Sequence, residues 1–379
     1  MEIVFWLSFL MILYVYLGYP LSVLVLGLFR RAPVQRASRT PLVTVVIAAY
    51  NEEGVIAATV RNKLEQDYPE HLLEVLVVSD GSSDRTDAIV AAFDDPRVRL
   101  LRQEPRAGKT SALNMAIPHA HGEIIVFSDA NSIYAPDAVR QLAANFNDPQ
   151  VGYVSGKMIY VNPDGSPVGE GCSAYMRYEN ALRAAETRIG SIVGVDGGID
   201  AVRKELYVPM KADQLPDFVL PLRVVQAGFR VVYEPQAVLR ESVLKRADDE
   251  YRMRVRVSLR AFWALFDMRA LLLFKPDPLF SWQLWSHKVL RYLCFVFMAA
   301  LVVANLALLD HGLFYRLFFL AQAGGYLGAL IAPTLERKGY GSRVLTFGHY
   351  FLLLQVASAH ACGKFLLGRK QVVWTPRKG

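Results

Sequence analysis

The chain has 379 residues, 53% of them hydrophobic and 20% charged, with a formal net charge of +7. That apolar fraction excludes a soluble protein of ordinary composition, while three widely spaced cysteines, Cys172, Cys294 and Cys362, exclude a disulfide framework or a zinc cluster. The basic excess gathers beside apolar segments without any basic-aromatic binding motif, so it points to anionic lipid headgroups and away from nucleic acid.

Taken in chain order, Ile3 to Phe29 carries no charge and is long enough for a bilayer-spanning helix. A signal peptide needs a basic start and a shorter apolar core, whereas this chain begins Met-Glu-Ile-Val, so residues 1–29 are predicted as a transmembrane helix. Arg30, Arg31, Arg36 and Arg39 follow, and the positive-inside rule then puts residues 30–288 in the cytoplasm, beneath a cell (inner) membrane crossed several times.

From 30 to 245 the pattern changes to that of a soluble domain. Leu42 to Ala49, Leu73 to Ser79, Val98 to Leu101 and Glu123 to Ser128 read as short strands, each followed by a helix-like stretch, which predicts an α/β domain with a mainly parallel sheet. Ligands bind such sheets beyond the carboxyl ends of the strands. The chemically pointed residues fall there: Tyr50-Asn51-Glu52-Glu53 after the first strand, Asp80-Gly81-Ser82-Ser83-Asp84 after the second, and Asp129-Ala130-Asn131 after the fourth. Gly108-Lys109-Thr110-Ser111 invites a phosphate-loop reading, but that pattern needs glycine at 103, where the chain has Gln103.

Residues 246–288 form an amphipathic, interfacial segment in this reading. Arg252, Arg256 and Arg260 recur every four residues and share one helix face, and Phe262 to Trp285 mixes aromatics with Lys275, Pro276 and Pro278. Residues 289–379 form a C-terminal membrane region of two or three helices and a basic tail. Val289 to Leu309 and Leu313 to Pro333 flank Asp310-His311-Gly312 as a hairpin, and Glu336, Arg337, Lys338 and Arg343 return to the cytoplasm. A last span, Leu345 to Leu367, would export Lys364, Arg369, Lys370, Arg377 and Lys378 against the positive-inside rule, so a crossing, a re-entrant segment and an interfacial one all stay open.

In order and spacing, Ala49-Tyr50-Asn51-Glu52, Ser79-Asp80-Gly81-Ser82-Ser83-Asp84, Gly108-Lys109 before Asn114, and Asp129-Ala130-Asn131 resemble glycosyltransferase family 2, which includes cellulose, chitin and hyaluronan synthases. The likeness runs from about Leu42 to Ala264 and implies a GT-A-like nucleotide-sugar-binding fold flanked by transmembrane helices. It implies that Asp80 meets the base or ribose, that Tyr50, Asn51 and Glu52 line the same crevice, and that Arg106 and Lys109 lie near the nucleotide. Glu53 more simply opens the next helix, and Asp84 more simply caps one.

Asp129 and Asn131 stand where the family has an Asp-any-Asp motif that holds Mg2+ or Mn2+ against the donor diphosphate, with the second carboxylate replaced here by an amide. Asp213-Gln214-Leu215-Pro216-Asp217 is similar to the family's acidic catalytic motif, which makes Asp217 the expected base, with helix capping as its alternative role. Asp196 and Asp200 receive no role. Polymerising relatives carry Gln-any-any-Arg-Trp near Arg252 to Arg256; this chain lacks the Gln and the Trp, although those arginines could still hold a diphosphate or a lipid phosphate. The expectation is an inverting transfer of a hexosyl or N-acetylhexosaminyl group from a nucleotide-sugar, of the UDP type, to a lipid-linked or polysaccharide acceptor among membrane lipids. A processive polysaccharide synthase and a non-catalytic membrane scaffold are the alternatives.

Overall fold

The computed structural model describes residues 1–161, 167–242, 247–275, 277–338, 340 and 342–371, with side chains at 167–171, 242, 247, 336 and 337 left aside. Pro276, Arg377 and Lys378 lie outside the described residues, as do the side chains of Glu336 and Arg337. The chain divides into two compact units, one of residues 27–161, 176–242 and 371–379, the other of residues 1–26, 162–175 and 243–370.

The first unit is built on eight strands: β1 (Val43–Ala49), β2 (Leu73–Asp80), β3 (Val98–Gln103), β4 (Ile124–Asp129), β5 (Ile133–Tyr134), β6 (Val151–Val161), β7 (Ile199–Arg203) and β8 (Arg230–Ser242). They form one sheet in the order β3-β2-β1-β4-β7-β6-β8-β5. The pairs β1/β2, β2/β3, β1/β4 and β6/β8 are parallel, while β4/β7, β6/β7 and β5/β8 are antiparallel. Both faces of the central strands are covered, which is why β1 reads Val-Thr-Val-Val-Ile-Ala-Ala without alternation and is buried at every position.

The order of the strands fixes where a ligand can enter. The chain steps outward from β1 to β2 to β3 and then returns to the opposite side of β1 as β4, so a crevice opens past the carboxyl ends of β1, β2 and β4. All four strands expected from sequence are present, and the antiparallel second half is the part that short apolar runs did not announce. The core beneath runs from Val45 and Ile47 through Val126 to Leu142, Val154 and Leu239.

The second unit is helical. Among the described residues two helices are long and apolar enough to cross a membrane, Glu2–Phe29 and Leu313–Leu335, or three if Pro278–Tyr292 and Cys294–Leu306, bent by 58°, form one span. The bend replaces the straight helix expected over Val289 to Leu309, because a π turn at Trp285–Val289 and a break at Leu293 interrupt the ladder. Phe5 packs with Leu301, Ala304, Leu308 and Tyr315 to join three of these helices. Their outer faces remain apolar and uncovered, as at Leu21, Leu320, Leu327 and Leu330. The last helix, Arg343–Leu366, is not among the helices apolar enough to cross, since His349, Gln355, His360 and Lys364 lower its hydropathy.

Arg252 and Arg256 belong to this second unit, on the helix Ala247–Asp267, and do not share one environment with Arg260. Arg252 is exposed, Arg256 half-buried and Arg260 buried. Arg254, on the same helix, is the more tightly held: it donates to Glu250 Oε1 at 2.7 Å and to the Tyr350 hydroxyl at 2.7 Å.

Candidate active site

Two loops at the carboxyl ends of β1 and β2 are zipped together by short polar side chains. The Asn51 amide donates to Ser82 Oγ, the Ser83 amide donates back to Asn51 Oδ1 at 2.8 Å, and the Glu52 amide donates to Thr86 Oγ1 at 2.8 Å. Glu53 accepts from the Arg85 amide, while Asp84 accepts from the Thr86 amide and hydroxyl at 2.9 and 2.6 Å at the start of the helix Thr86–Ala91. Asp84 stands one residue before the N-cap position, Arg85, and ties down the first amide of that helix, while Asn51 and Glu53 spend their side chains on loop structure. Glu52 is left facing the crevice side of this clasp; burial, with Asp129 and Asp84 nearby, pushes its carboxyl up to about 7.

Asp80, at the end of β2, is fully buried. Its Oδ1 accepts from Gln103 Nε2 at 2.5 Å and the Ala107 amide at 2.8 Å, its Oδ2 accepts from the Gly108 amide at 3.0 Å, and Arg106 Nε lies 3.7 Å away. The Arg106 guanidinium stacks over the Tyr50 ring, 3.4 Å from its centroid. The structure thus gathers Tyr50, Asp80 and Arg106, but the carboxylate is enclosed by the 103–108 loop. A base or ribose reaches it only by displacing Arg106 and exchanging one of these donors. Gly108, with φ +98°, turns this loop into the next helix in a conformation that L side chains rarely adopt.

Lys109 opens the helix Lys109–Ala116, and its Nζ donates to Asp129 Oδ1 at 2.6 Å while standing 3.8 Å from Asp217 Oδ1. Burial alone would lower the Lys109 ammonium, but Asp129 and Asp217 outweigh it and hold the group well above its ordinary range. Asp217 sits one residue inside the helix Pro216–Gln226, whose N-cap position is Leu215, so the capping role is not the one this geometry gives it. The three charged groups come from β4 and two separate helices, and each keeps some access to solvent.

The turn that carries Asp129 and Asn131 is braced from below. Thr59 Oγ1 donates to the Ala130 carbonyl at 2.6 Å, and the buried Lys63 Nζ donates to the Ser132 carbonyl at 2.6 Å. Asn131 is half-buried in that turn. Among the described residues no three His, Cys, Asp or Glu side chains gather as a metal cage. Asp129 and the Asn131 amide are nevertheless hard oxygen donors, and Mg2+ or Mn2+ is commonly held by one or two such groups with substrate phosphates completing the shell. The residues fit a cation that arrives with the donor.

Sequence reasoning gave no role to Asp200, and it placed Asn114 on the helix after Lys109 without assigning it a partner. Asn114 Oδ1 accepts from the Tyr207 hydroxyl and the Met210 amide, so it pins the 207–210 loop. Asp200 is a lone carboxylate inside the apolar strand β7, and its interruption of the Ile199–Val202 run is the signal that could have marked it.

Residues 44–206 match the family described as glycosyl transferase family 2. An N-acetylglucosaminyltransferase of Rhizobium meliloti (strain 1021) is 30% identical over 216 residues, covering 52% of this chain and 50% of that protein. A beta-monoglucosyldiacylglycerol synthase of Trichormus variabilis is 32% identical over 169 residues, 44% of this chain and 36% of that one. The chain thus spans half or less of the length of these curated relatives. Among solved structures, the mannosyltransferase PcManGT from Pyrobaculum calidifontis, in complex with GDP-Man and Mn2+, superposes with a TM-score of 0.73 at 26% identity, covering 94% of this chain and 97% of that one.

The enclosure of Asp80 carries a prediction that is independent of any activity. Asp80→Ala removes the acceptor for the Ala107 and Gly108 amides, so hydrogen–deuterium exchange at residues 105–109 is expected to speed up by at least about tenfold, the equivalent of one lost charge-assisted hydrogen bond. Unchanged protection there would show that the loop is held by other means.

Proposed function

This chain carries a glycosyltransferase family 2 domain, and we propose that it transfers a sugar from a nucleotide-sugar to a lipid-linked or polysaccharide acceptor by one inverting displacement. The observation that carries the reading is the meeting of Asp129, Lys109 and Asp217 in one crevice. Asp217 accepts the proton of the acceptor hydroxyl as that oxygen attacks the anomeric carbon, and the bond to the nucleotide diphosphate breaks on the opposite face. Lys109 supplies a fixed positive charge where the diphosphate leaves. A divalent cation held by Asp129, with Asn131, supplies further neutralisation of that leaving group when bound. Arg106 and Tyr50 close over the nucleotide side of the crevice, with Asp80 anchoring their loop.

Mn2+ accompanies the donor in the PcManGT complex, which supports the cation requirement. The donor there is GDP-Man, while the curated relatives are named for N-acetylglucosaminyl and glucosyl products, so the expected UDP donor rests on the family resemblance alone. A glycolipid synthase among the relatives supports a lipid acceptor. We read residues 1–29 as a transmembrane helix, 30–245 as the cytoplasmic transferase domain, 246–288 as an interfacial segment and 289–379 as the C-terminal membrane region. The uncovered apolar faces of Glu2–Phe29 and Leu313–Leu335 support insertion into a membrane, which we take to be the inner one. Arg252 and Arg256 are proposed to meet phosphate, of donor or lipid, from the helix Ala247–Asp267. Lack of the Gln and Trp of polymerising relatives favours addition of one or a few sugars.

Three measurements test this reading. With purified protein in lipid and a panel of nucleotide-sugars, excess chelator or Asp129→Ala is expected to abolish transfer, and full turnover in chelator would remove the cation from the scheme. Asp217→Asn keeps the side-chain shape but is a poor proton acceptor, so it is expected to bind donor normally by calorimetry and to lose transfer by at least about a hundredfold; transfer within a few-fold of normal would exclude it as the base. For topology, in protein whose native cysteines have been replaced, Asp310→Cys is expected to react with an impermeant thiol reagent from outside and Ser83→Cys only after permeabilisation. Labelling of Ser83→Cys in intact cells would reverse the orientation.

A further inference from the structure

Asp200 lies in the middle of the sheet, on β7, with Phe127 of β4 opposite it on one side and Ser155 of β6 on the other. It is 1% exposed. Its Oδ2 accepts the amide of Gly197 at 2.8 Å, within the glycine-rich turn that precedes the strand. Gly197 has φ +80°, and a Cβ built on it would stand 2.3 Å from Asp217 Oδ2 and 2.4 Å from its Cγ. Nothing but a hydrogen fits between that backbone and the Asp217 carboxylate. The turn is clamped from the other side as well, because Asp196 is paired with the buried Arg183 of the helix Pro167–Ile189.

We propose that Asp200 is a positioning residue for Asp217, holding through the Gly197 amide the backbone floor on which the Asp217 carboxylate rests. The inference depends on Asp217 being the base of the proposed transfer.

Asp200 performs this role as a neutral carboxylic acid. Its Oδ1 is buried beside the Ser155 hydroxyl at the paired strand position; that hydroxyl and the Gly197 amide favour the ionised form, and burial outweighs them. In the neutral acid Oδ2 still accepts from the Gly197 amide. Burial, reinforced by Asp217, pushes the Asp200 carboxyl up to about 8, so it stays protonated at neutral pH. The groups around it are Asp217 on the helix Pro216–Gln226, Asp196 in the turn, Tyr153 on β6, Tyr134 on β5, and Lys109 on the helix Lys109–Ala116. Among them, Lys109 is held protonated by its carboxylates and both tyrosines are pushed far above their usual range by burial. Asp200 is thus the group here that changes charge near pH 8. Ionised, it sets a second negative charge beside Asp217 and competes for Lys109, so kcat falls as pH rises through that range.

The test compares Asp200→Asn, Asp200→Ala and Gly197→Ala in the full chain in lipid, across pH 6 to 9.5. An amide keeps the acceptor for Gly197 and cannot ionise, so Asp200→Asn is expected to lose the alkaline fall in kcat. Asp200→Ala, which leaves the Gly197 amide unpaired, is expected to have a kcat at least about tenfold below that of Asp200→Asn, with donor KM little changed, as for a displaced catalytic group. Gly197→Ala should lower kcat in the same way, and it decides the matter if Asp200→Ala fails to fold. Isotope-edited infrared spectra at pH 7 should contain a buried protonated-carboxyl band that Asp200→Asn removes. If the Asn variant keeps the alkaline limb, or Gly197→Ala transfers like the parent, the inference is overturned. If Asp217→Asn itself stays active, the assignment of the base has failed instead; an inactive Asp217→Asn beside Asp200 variants of parental pH profile defeats this inference alone.

Discussion

One ammonium group holds the candidate site together. Lys109 is placed at the first turn of a helix, where the macrodipole disfavours a cation, and it is also largely withdrawn from water. Both penalties are offset by Asp129 and Asp217, which reach it from β4 and from the helix Pro216–Gln226. The dependence is mutual, since two carboxylates converging on one crevice repel each other unless a cation stands between them. A local choice that contradicts helix preference and is repaired only by distant residues is what a functional site looks like in an otherwise consistent fold.

The remaining polar groups are arranged so that this triad is reached by rigid elements. Helix Ile56–Leu64 braces the turn after β4 through Thr59 and Lys63, and Thr110 Oγ1 ties the helix behind Lys109 to the Gln214 carbonyl just before Asp217. Asp80 does the same for the 103–108 loop, spending a buried carboxylate on backbone amides. Each brace is a side chain bonded to a main-chain group of a neighbouring segment, which fixes position at little entropic cost once both elements are packed. The site is therefore precise on the carboxylate side and adjustable where Arg106 lies over Tyr50.

The helical unit follows a different rule. Its helices are joined by aromatic packing around Phe5 and by isolated polar contacts, such as the Tyr14 hydroxyl with Ser286 and Gln355 with the Tyr16 hydroxyl. Such contacts and close packing fix how these helices meet one another. The large apolar residues that a soluble protein would bury face outward here.

Strands β1 to β4 and the helices between them were legible in the sequence because their signal is local: apolar runs of strand length, each ending in a cluster of polar residues. The positions of Tyr50 just past one strand end and of Asp80 and Asp129 at two others followed from the same logic, as did that of Asp84 just before a helix. The antiparallel strands β5 to β7 were not legible, since β7 is broken by a buried aspartate and β6 bulges between Ser155 and Lys157. Only the tertiary structure could decide that Lys109 bridges Asp129 and Asp217, residues 20 and 108 positions away in the chain, or that Asp80 is occupied by the loop after β3. Composition and periodicity report which face of an element is buried; they carry no information about which charge, far off in sequence, will stand within bonding distance of another. The glycine at 197 makes the same point: its sequence context suggests a turn, and the reason no larger residue fits there, the carboxylate of Asp217 lying against it, exists only once the chain has folded.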